Sequence, residues 1–323
     1  MSTRPTPGDQ ARLHPRPFHM VGRARGGVTE IARSKVNLHL GVGDARPDGY
    51  HELVTVFQSL SLHDQVTITP TPEADGPVSA LSVQGPSSHV IPVDGSNLAW
   101  QAVEVFAGAA GVPVPPVAVH ITKGIPVAGG MAGGSADAAA VLRSMNTLCG
   151  APLTRAQLLD LAAQLGSDVP FCLLEGHALA RGRGELLQPL PTRPRLHFAL
   201  AFHRRGLSTP KVFAQLDDMR AAGTAPAAGP PDALLAAGSP EEVAPLIAND
   251  LQAPALALAP HLAATLAVGE EAGALRGFVS GSGPTCAFLC ADEAAARRVA
   301  HRLHLEKVAD DTACAHTVGA AEF

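Results

Sequence analysis

Apolar positions recur with a strand-like period at the start of the fold: Val28 to Ala32, Val36 to Val42, Glu52 to Leu62 and Val66 to Thr69 read as short strands, the last two separated by His63, Asp64 and Gln65. A hairpin-rich sheet is the consequence. Asn97 to Ala110 switches to a helical period, with Leu98, Ala102, Phe106 and Ala109 on one face after the start signals Gly95 and Ser96. Strand spacing returns over Val117 to Thr122, where Val117, Val119 and Ile121 share a side. A glycine loop from Pro126 then runs into an Ala-rich helix ending near Leu148, with Ser135 the expected N-cap. The next helix opens with Thr154 and Gln157 in capping-box spacing and stops at Leu165 before Gly166. His177 to Arg181 and Glu185 to Leu190 read as a hairpin around Gly182 and Gly184.

Past Pro191 to Pro194 the pattern becomes strand Leu196 to His203, several Ala-rich helices, strands Leu275 to Ser280 and Thr285 to Cys290, helix Asp292 to His304 and strand Ala313 to Val318. This β, α, β, β, α, β order is a ferredoxin-like split unit. The expected organisation is α+β in two domains, 28–194 and 195–323, behind a mobile Pro- and Arg-rich arm at 1–27. The run AAGTAPAAGPP from Ala221 reads as a mobile excursion within the second domain.

Composition narrows the class more than the chemistry. The chain has 323 residues, 46% apolar and 16% charged, enough for a sizeable core, and its net charge of -5 disfavours duplex nucleic acid, which needs a basic face. The most apolar stretch, Leu251 to Val268, is broken by Pro254, Pro260 and His261 and does not read as a membrane span. Five cysteines without a CxxC pair fit neither a disulfide framework nor a zinc knuckle, so buried, reduced thiols in a cytoplasm are expected. His301, His304 and His316 are better explained as surface histidines than as metal ligands.

Five features are candidates for chemistry, each with a plainer alternative. Gly129, Gly130, Gly133 and Gly134 precede a helix N-terminus, which suits either a phosphate cradle or a tightly packed helix entrance. The loop is neither a Walker A motif, since no Lys follows the last glycine, nor GxGxxG, since position 131 is Met. Ser280 to Thr285 is a second glycine turn, a hairpin or the far wall of a cleft. Lys35, Asn37 and His39 alternate against Val36, Leu38 and Leu40, as a solvated edge or as a polar row lining a site. Asp168 either caps the short helix after it or accepts a proton from a hydroxyl. Tyr50 and His51, after the turn Arg46-Pro47-Asp48-Gly49, either pack or read a base.

The motifs SKVNLHLGVGDARPDGYHEL from Ser34, PVAGGMAGGSADAA from Pro126, LGSDVP from Leu165 and GSGPT from Gly281 together resemble the GHMP kinase superfamily over about residues 28–320. The resemblance implies an N-terminal domain like domain 2 of ribosomal protein S5, a ferredoxin-like C-terminal domain, ATP as co-substrate, Mg²⁺, and a monomer or homodimer in the cytoplasm. RPDGYHEL with the distant LGSDVP points within the superfamily to phosphorylation of the 2-hydroxyl of 4-diphosphocytidyl-2-C-methyl-D-erythritol, in non-mevalonate isoprenoid precursor biosynthesis. Another small alcohol as substrate, or a catalytically silent binding protein on the same fold, are the alternatives.

By the same resemblance Lys35 and Asp168 are the catalytic pair. Pro126, Val127, Ala128, Gly129, Gly130, Met131, Ala132, Gly133, Gly134, Ser135 and Ala136 form the ATP-phosphate loop. Tyr50 and His51 bind cytidine, Asn37 contacts substrate, and Thr209, Pro210 and Phe213 close over the base. The loop departs from the family pattern: Ala128 and Ala132 replace glycines, Ala136 a second Ser and Asp137 an Asn. Backbone donation survives Ala where φ is negative. Any protein contribution to Mg²⁺ falls to Ser135 alone.

Overall fold

The computed structural model describes residues 26–46, 49–72, 74–127, 129–225 and 227–321. Most of the expected arm, and Ala128 of the loop, lie outside them.

β1 (Val28–Ala45) and β2 (His51–Pro70) form one long antiparallel ribbon. Each of these was expected as two strands. The polar run His63 to Gln65 stays in the ladder, because Arg33, Ala32 and Ile31 pair with it across the ribbon. β3 (Val78–Gln84), which no sequence signal marked, runs parallel to β4 (Val117–Thr122), and β4 pairs with β2. Between them α1 (Leu98–Ala109) begins where expected, with Asn97 as its N-cap, whose side chain accepts from the Ala99 amide. Its buried face is Ala99, Ala102, Val103 and Phe106, so Leu98 and Ala109 fall to its edges.

α2 (Gly133–Leu148) lies against β1 and β2 and packs on α1. α3 (Arg155–Leu165) carries the expected Thr154–Gln157 capping box. α4 (Val169–Leu174) follows with its six residues all buried, and β5 (His177–Arg181) with β6 (Leu186–Pro189) completes this seven-stranded sheet through β5 pairing with β2.

β7 (His197–Phe202) opens the second half and is followed by α5 (Thr209–Ala221), α6 (Asp232–Ala236), α7 (Pro240–Val243), β8 (Ala248–Asn249), α8 (Gln252–Leu258) and α9 (His261–Glu271). β9 (Arg276–Val279), β10 (Cys286–Cys290), α10 (Glu293–Leu305) and β11 (Asp311–His316) close the fold. The sheet order β11-β7-β10-β9, antiparallel throughout, is that of a ferredoxin-like unit. β8 pairs in parallel with β1, so β1 is an interior strand and the solvated-edge reading of its polar row fails. In the Ala/Pro-rich excursion, the Ala228 amide donates to Asp250 Oδ1 at 2.6 Å, which anchors it.

No helix among the described residues is long and apolar enough to cross a membrane. Cys172, Cys286 and Cys290 are buried, but Cys149 is half-buried and Cys314 exposed, so the expectation of five buried thiols fails at two positions.

Four histidines, His39, His177, His203 and His316, are held below the ordinary imidazole value, in each case by burial first. His177 is pushed down to about 4. At these four sites the unfolded chain therefore binds more protons than the folded one as pH falls from about 6.5 towards 4. Their contribution to stability is full above that window and lost within it. His177 is expected to contribute a loss on the order of 2 kcal/mol between pH 7.5 and pH 5, read as the difference between wild type and His177→Gln in the pH dependence of urea unfolding; the same pH dependence in both would contradict the burial of a neutral His177.

Candidate active site

A β-bulge at Leu38 sets the first half of the site. β1 pairs Asn37 with Phe57 but His39 with Val56, so the face presented by the strand changes there. Lys35, Asn37 and Leu40 consequently line one cavity of about 630 Å³, while His39, expected beside Lys35 and Asn37, does not. Strict alternation was the wrong rule at that point.

Lys35 is buried, its ammonium donates to Asn37 Oδ1 at 2.8 Å, and it sits 5.1 Å from the centroid of the Phe57 ring. Asn37 Nδ2 donates to Thr55 Oγ1 at 2.8 Å, and Thr55 in turn donates to the His39 carbonyl at 2.6 Å. That chain leaves Asn37 one orientation, with its carbonyl oxygen on Lys35. Asp168 comes from the other side: its Oδ2 lies 3.5 Å from Lys35 Nζ, with a third of the side chain exposed to the cavity. It occupies the N-cap position of α4 but caps nothing with its side chain. The carboxylate is thereby left for chemistry.

α4 is itself braced. Arg143 on α2 donates to the Cys172 and Leu173 carbonyls at 3.0 and 3.4 Å, to the Ile31 carbonyl at 2.8 Å and to Glu175 at 3.2 Å. Two carbonyls at the C-terminal end of α4 are satisfied that way, and the helix that carries Asp168 is tied to β1.

The glycine loop meets the second glycine turn directly. Gly130 has φ +71, and a Cβ there would lie 2.5 Å from the Ser280 carbonyl oxygen and 3.0 Å from that of Gly283. Ser280 Oγ donates to the Gly130 carbonyl at 3.2 Å. The loop is also fastened to β1, since the Lys35 amide donates to the Met131 carbonyl at 3.3 Å. Ala132, where negative φ was expected, sits at φ 58 in the left-handed region, a strain of about 1 kcal/mol for a residue with a Cβ. It is also the cap of α2, one turn before the expected Ser135, and it has no side-chain cap to offer. The first amides of α2 therefore remain available to an anion, where the helix dipole favours one.

Pro126, Val127, Gly129 to Gly134 and Asp137 line a second cavity of about 340 Å³. The two cavities share Gly130 and Ala132 as walls, and Ser135 borders the first. Ala136 lines neither, being buried with its amide donated to the Ala132 carbonyl at 2.8 Å.

Beneath the loop is a buried cluster that the sequence did not announce. Lys123 Nζ is bonded to Asp64 Oδ2 and, at 2.8 Å, to Asp137 Oδ2, while Asp64 Oδ1 accepts from the Gly124 and Ile125 amides at 2.6 and 2.7 Å. Burial first, and then the neighbouring Asp64, hold the Asp137 carboxyl above the ordinary range against the pull of Lys123. Asp137 Oδ1 has no hydrogen-bond partner in this wall of the cavity.

At the far end of the large cavity stand Tyr50, His51, Phe213 and Asp217. His51 is buried, its Nε2 lies 3.0 Å from Asp217 Oδ1, and its ring lies 5.0 Å from that of Phe213 at 32°. Tyr50 is 52% exposed, with the Arg183 guanidinium 5.0 Å from its ring centroid. Thr209 and Pro210, at the start of α5, also line the cavity, and Thr209 Oγ1 lies 2.8 Å from Ser282 Oγ. The structure thus gathers Lys35, Asn37, Asp168, Tyr50, His51, Thr209, Pro210 and Phe213 around one space. It adds Thr55, Phe57, Arg183 and Asp217, of which Asp217 was accessible as the residue one helical turn after Phe213.

Residues 97–176 match the model of the GHMP kinases N terminal domain and residues 233–309 that of the GHMP kinases C terminal. A 4-diphosphocytidyl-2-C-methyl-D-erythritol kinase of Corynebacterium diphtheriae is 53% identical over 286 residues, covering 85% of this chain and 92% of the relative. The chain belongs to the GHMP kinases. A Nocardia farcinica relative of the same name is 55% identical over 277 residues, 84% of this chain and 88% of its own length. Among solved structures, a crystal structure of 4-(cytidine 5'-diphospho)-2C-methyl-D-erythritol kinase aligns with TM-score 0.73 at 33% identity, over 90% of this chain and all of the other. This GHMP kinase also shares its fold with a homoserine kinase of Cytophaga hutchinsonii, at TM-score 0.68 and 15% identity over 93% of this chain and 96% of that one.

Proposed function

We infer that this chain transfers the γ-phosphoryl group of ATP to the 2-hydroxyl of 4-diphosphocytidyl-2-C-methyl-D-erythritol. The observation that carries the mechanism is the meeting of Lys35 and Asp168, 3.5 Å apart, in the cavity that abuts the glycine loop. In this reading the nucleotide occupies the 340 Å³ cavity, and its phosphates cross Gly130 and Ala132 to reach the other. Phosphoryl transfer needs little covalent help from a protein and much positioning and charge stabilisation. Asp168 orients the acceptor hydroxyl and takes its proton, while Lys35 keeps that carboxylate ionised and offsets charge on the transferring group.

Mg²⁺ suits this donor set as an ion carried mainly by phosphate oxygens, with Ser135 Oγ at the cavity wall as the protein's hydroxyl. When bound it supplies charge neutralisation at the β- and γ-phosphates. We further propose that 28–194 carries the loop and the catalytic pair and 195–323 the far wall, in a cytoplasmic enzyme.

Tyr50, His51 and Phe213 bound the slot proposed for cytosine. With His51 Nε2 committed to Asp217, the ring edge that remains for a base is Nδ1. Base stacking on an aromatic ring is worth ~1–3 kcal/mol, so Tyr50→Ala is expected to raise KM for the cytidylyl substrate about tenfold with little change for ATP. An unchanged KM would remove Tyr50 from base recognition.

The substrate itself is tested by ADP release with a panel of alcohols. Turnover with 4-diphosphocytidyl-2-C-methyl-D-erythritol, and none with mevalonate or homoserine, is expected; a preference for either of those alcohols would overturn the reading.

A further inference from the structure

On the other side of β2 from the catalytic cavity is a separate one of about 390 Å³. Phe57 lines the first and its neighbour Gln58 the second, as alternation along a strand requires. Its wall is basic: Arg155 of α3, Arg193 and Arg195 after β6, and His177 at the head of β5. The single carboxylate among its lining residues, Glu175, is already held by Arg33 at 3.1 Å and Arg143 at 3.2 Å. Among the described residues, Arg193 and Arg195 thus face one hollow whose lining carboxylate is already taken.

Two polar atoms in this wall are stranded. His177 is 7% exposed and its Nε2 has no hydrogen-bond partner, and neither has Arg193 Nη1. His177 Nδ1 lies 3.4 Å from the Pro191 carbonyl, which accepts and therefore places the ring proton on Nδ1. Nε2 is left as a lone pair, an acceptor. Burial, then Arg193, keep the ring neutral. Arg193 is fixed by its other nitrogen, Nη2, which donates to the Leu234 carbonyl. Buried groups without partners are costly and uncommon, and the pair asks for two different complements: an anionic oxygen for the guanidinium and a hydroxyl donor for the imidazole. Guanidinium forks match phosphate in charge and shape, and a hollow of this volume admits a small organic molecule.

We propose that this cavity is a binding site for a small phosphate ester that also carries a hydroxyl group, such as a polyol monophosphate. The phosphate lies on Arg193 and Arg195 and the hydroxyl donates to His177 Nε2. The proposal is independent of the kinase reading, because binding here needs no turnover.

The test is calorimetric titration of the full chain, with its nucleotide site filled by a non-hydrolysable ATP analogue. Glycerol 3-phosphate is expected to bind saturably at one site per chain. n-Propyl phosphate and inorganic phosphate, which lack the carbon-borne hydroxyl, are expected to bind about tenfold more weakly, as loss of one buried hydrogen bond implies. Arg193→Gln should weaken glycerol 3-phosphate at least tenfold. Arg195→Gln, at an exposed position, should shift affinity in the same direction and keeps the test decisive if Arg193→Gln fails to fold. The proposal is overturned by an absence of saturable binding, by affinity indifferent to Arg195→Gln, by propyl phosphate binding as well as glycerol 3-phosphate, or by L-malate matching the ester.

Discussion

Asp168→Asn is expected to keep the fold and ATP affinity and to lower kcat by about 10²–10⁴-fold, the range a positioned acid–base group supplies. The substitution is nearly isosteric, and the side chain it changes is 34% exposed and caps no helix, so little stability rests on it. Lys35 keeps its acceptor, Asn37 Oδ1 at 2.8 Å, and is not stranded by the change. What is removed is an anionic acceptor for the substrate proton and the charge that Lys35 faces. Thermal shift with an ATP analogue should match wild type while single-turnover transfer collapses. A kcat within a few-fold of wild type would take Asp168 out of the proton's path.

Gly130→Ala is expected to damage both stability and ATP binding. At φ +71 any Cβ is disfavoured, and here it would stand 2.5 Å from the Ser280 carbonyl oxygen and 3.0 Å from the Gly283 carbonyl oxygen. Neither obstacle is a flexible side chain, so the two glycine loops must separate. Loss of that contact, including the 3.2 Å bond from Ser280, is expected to cost on the order of 2–4 kcal/mol, read as a lower urea midpoint. Because the same residues wall both cavities, KM for ATP should rise at least tenfold as well. Wild-type stability together with wild-type KM would show that the loops do not meet as described.

Legibility followed the range of the interactions. The capping box of α3, the alternation of β4 and the ferredoxin-like order of the second sheet rest on neighbours in sequence or on simple periods, and all were readable. The phase of β1 was not, because a bulge at Leu38 exchanges His39 for Leu40 at the cavity, and a bulge depends on the partner strand. The start of α2 was missed because Ser135 looks like a cap locally, whereas the helix begins three residues earlier, at an Ala132 in the left-handed region that offers no side-chain signal. Lys35 and Asp168 were identifiable through their motifs, but their approach was not, since it depends on Arg143 and its bonds to α4 and β1. The Lys123, Asp64 and Asp137 cluster joins three distant segments and left no local signature.

Phosphorus NMR of the reaction of ATP with 4-diphosphocytidyl-2-C-methyl-D-erythritol tests the central claim most directly. The account predicts ADP and one new phosphomonoester resonance in equal amounts, the ester on the 2-hydroxyl and both absent with Asp168→Asn. ADP accompanied only by inorganic phosphate, or an ester that forms equally well in the variant, would contradict it.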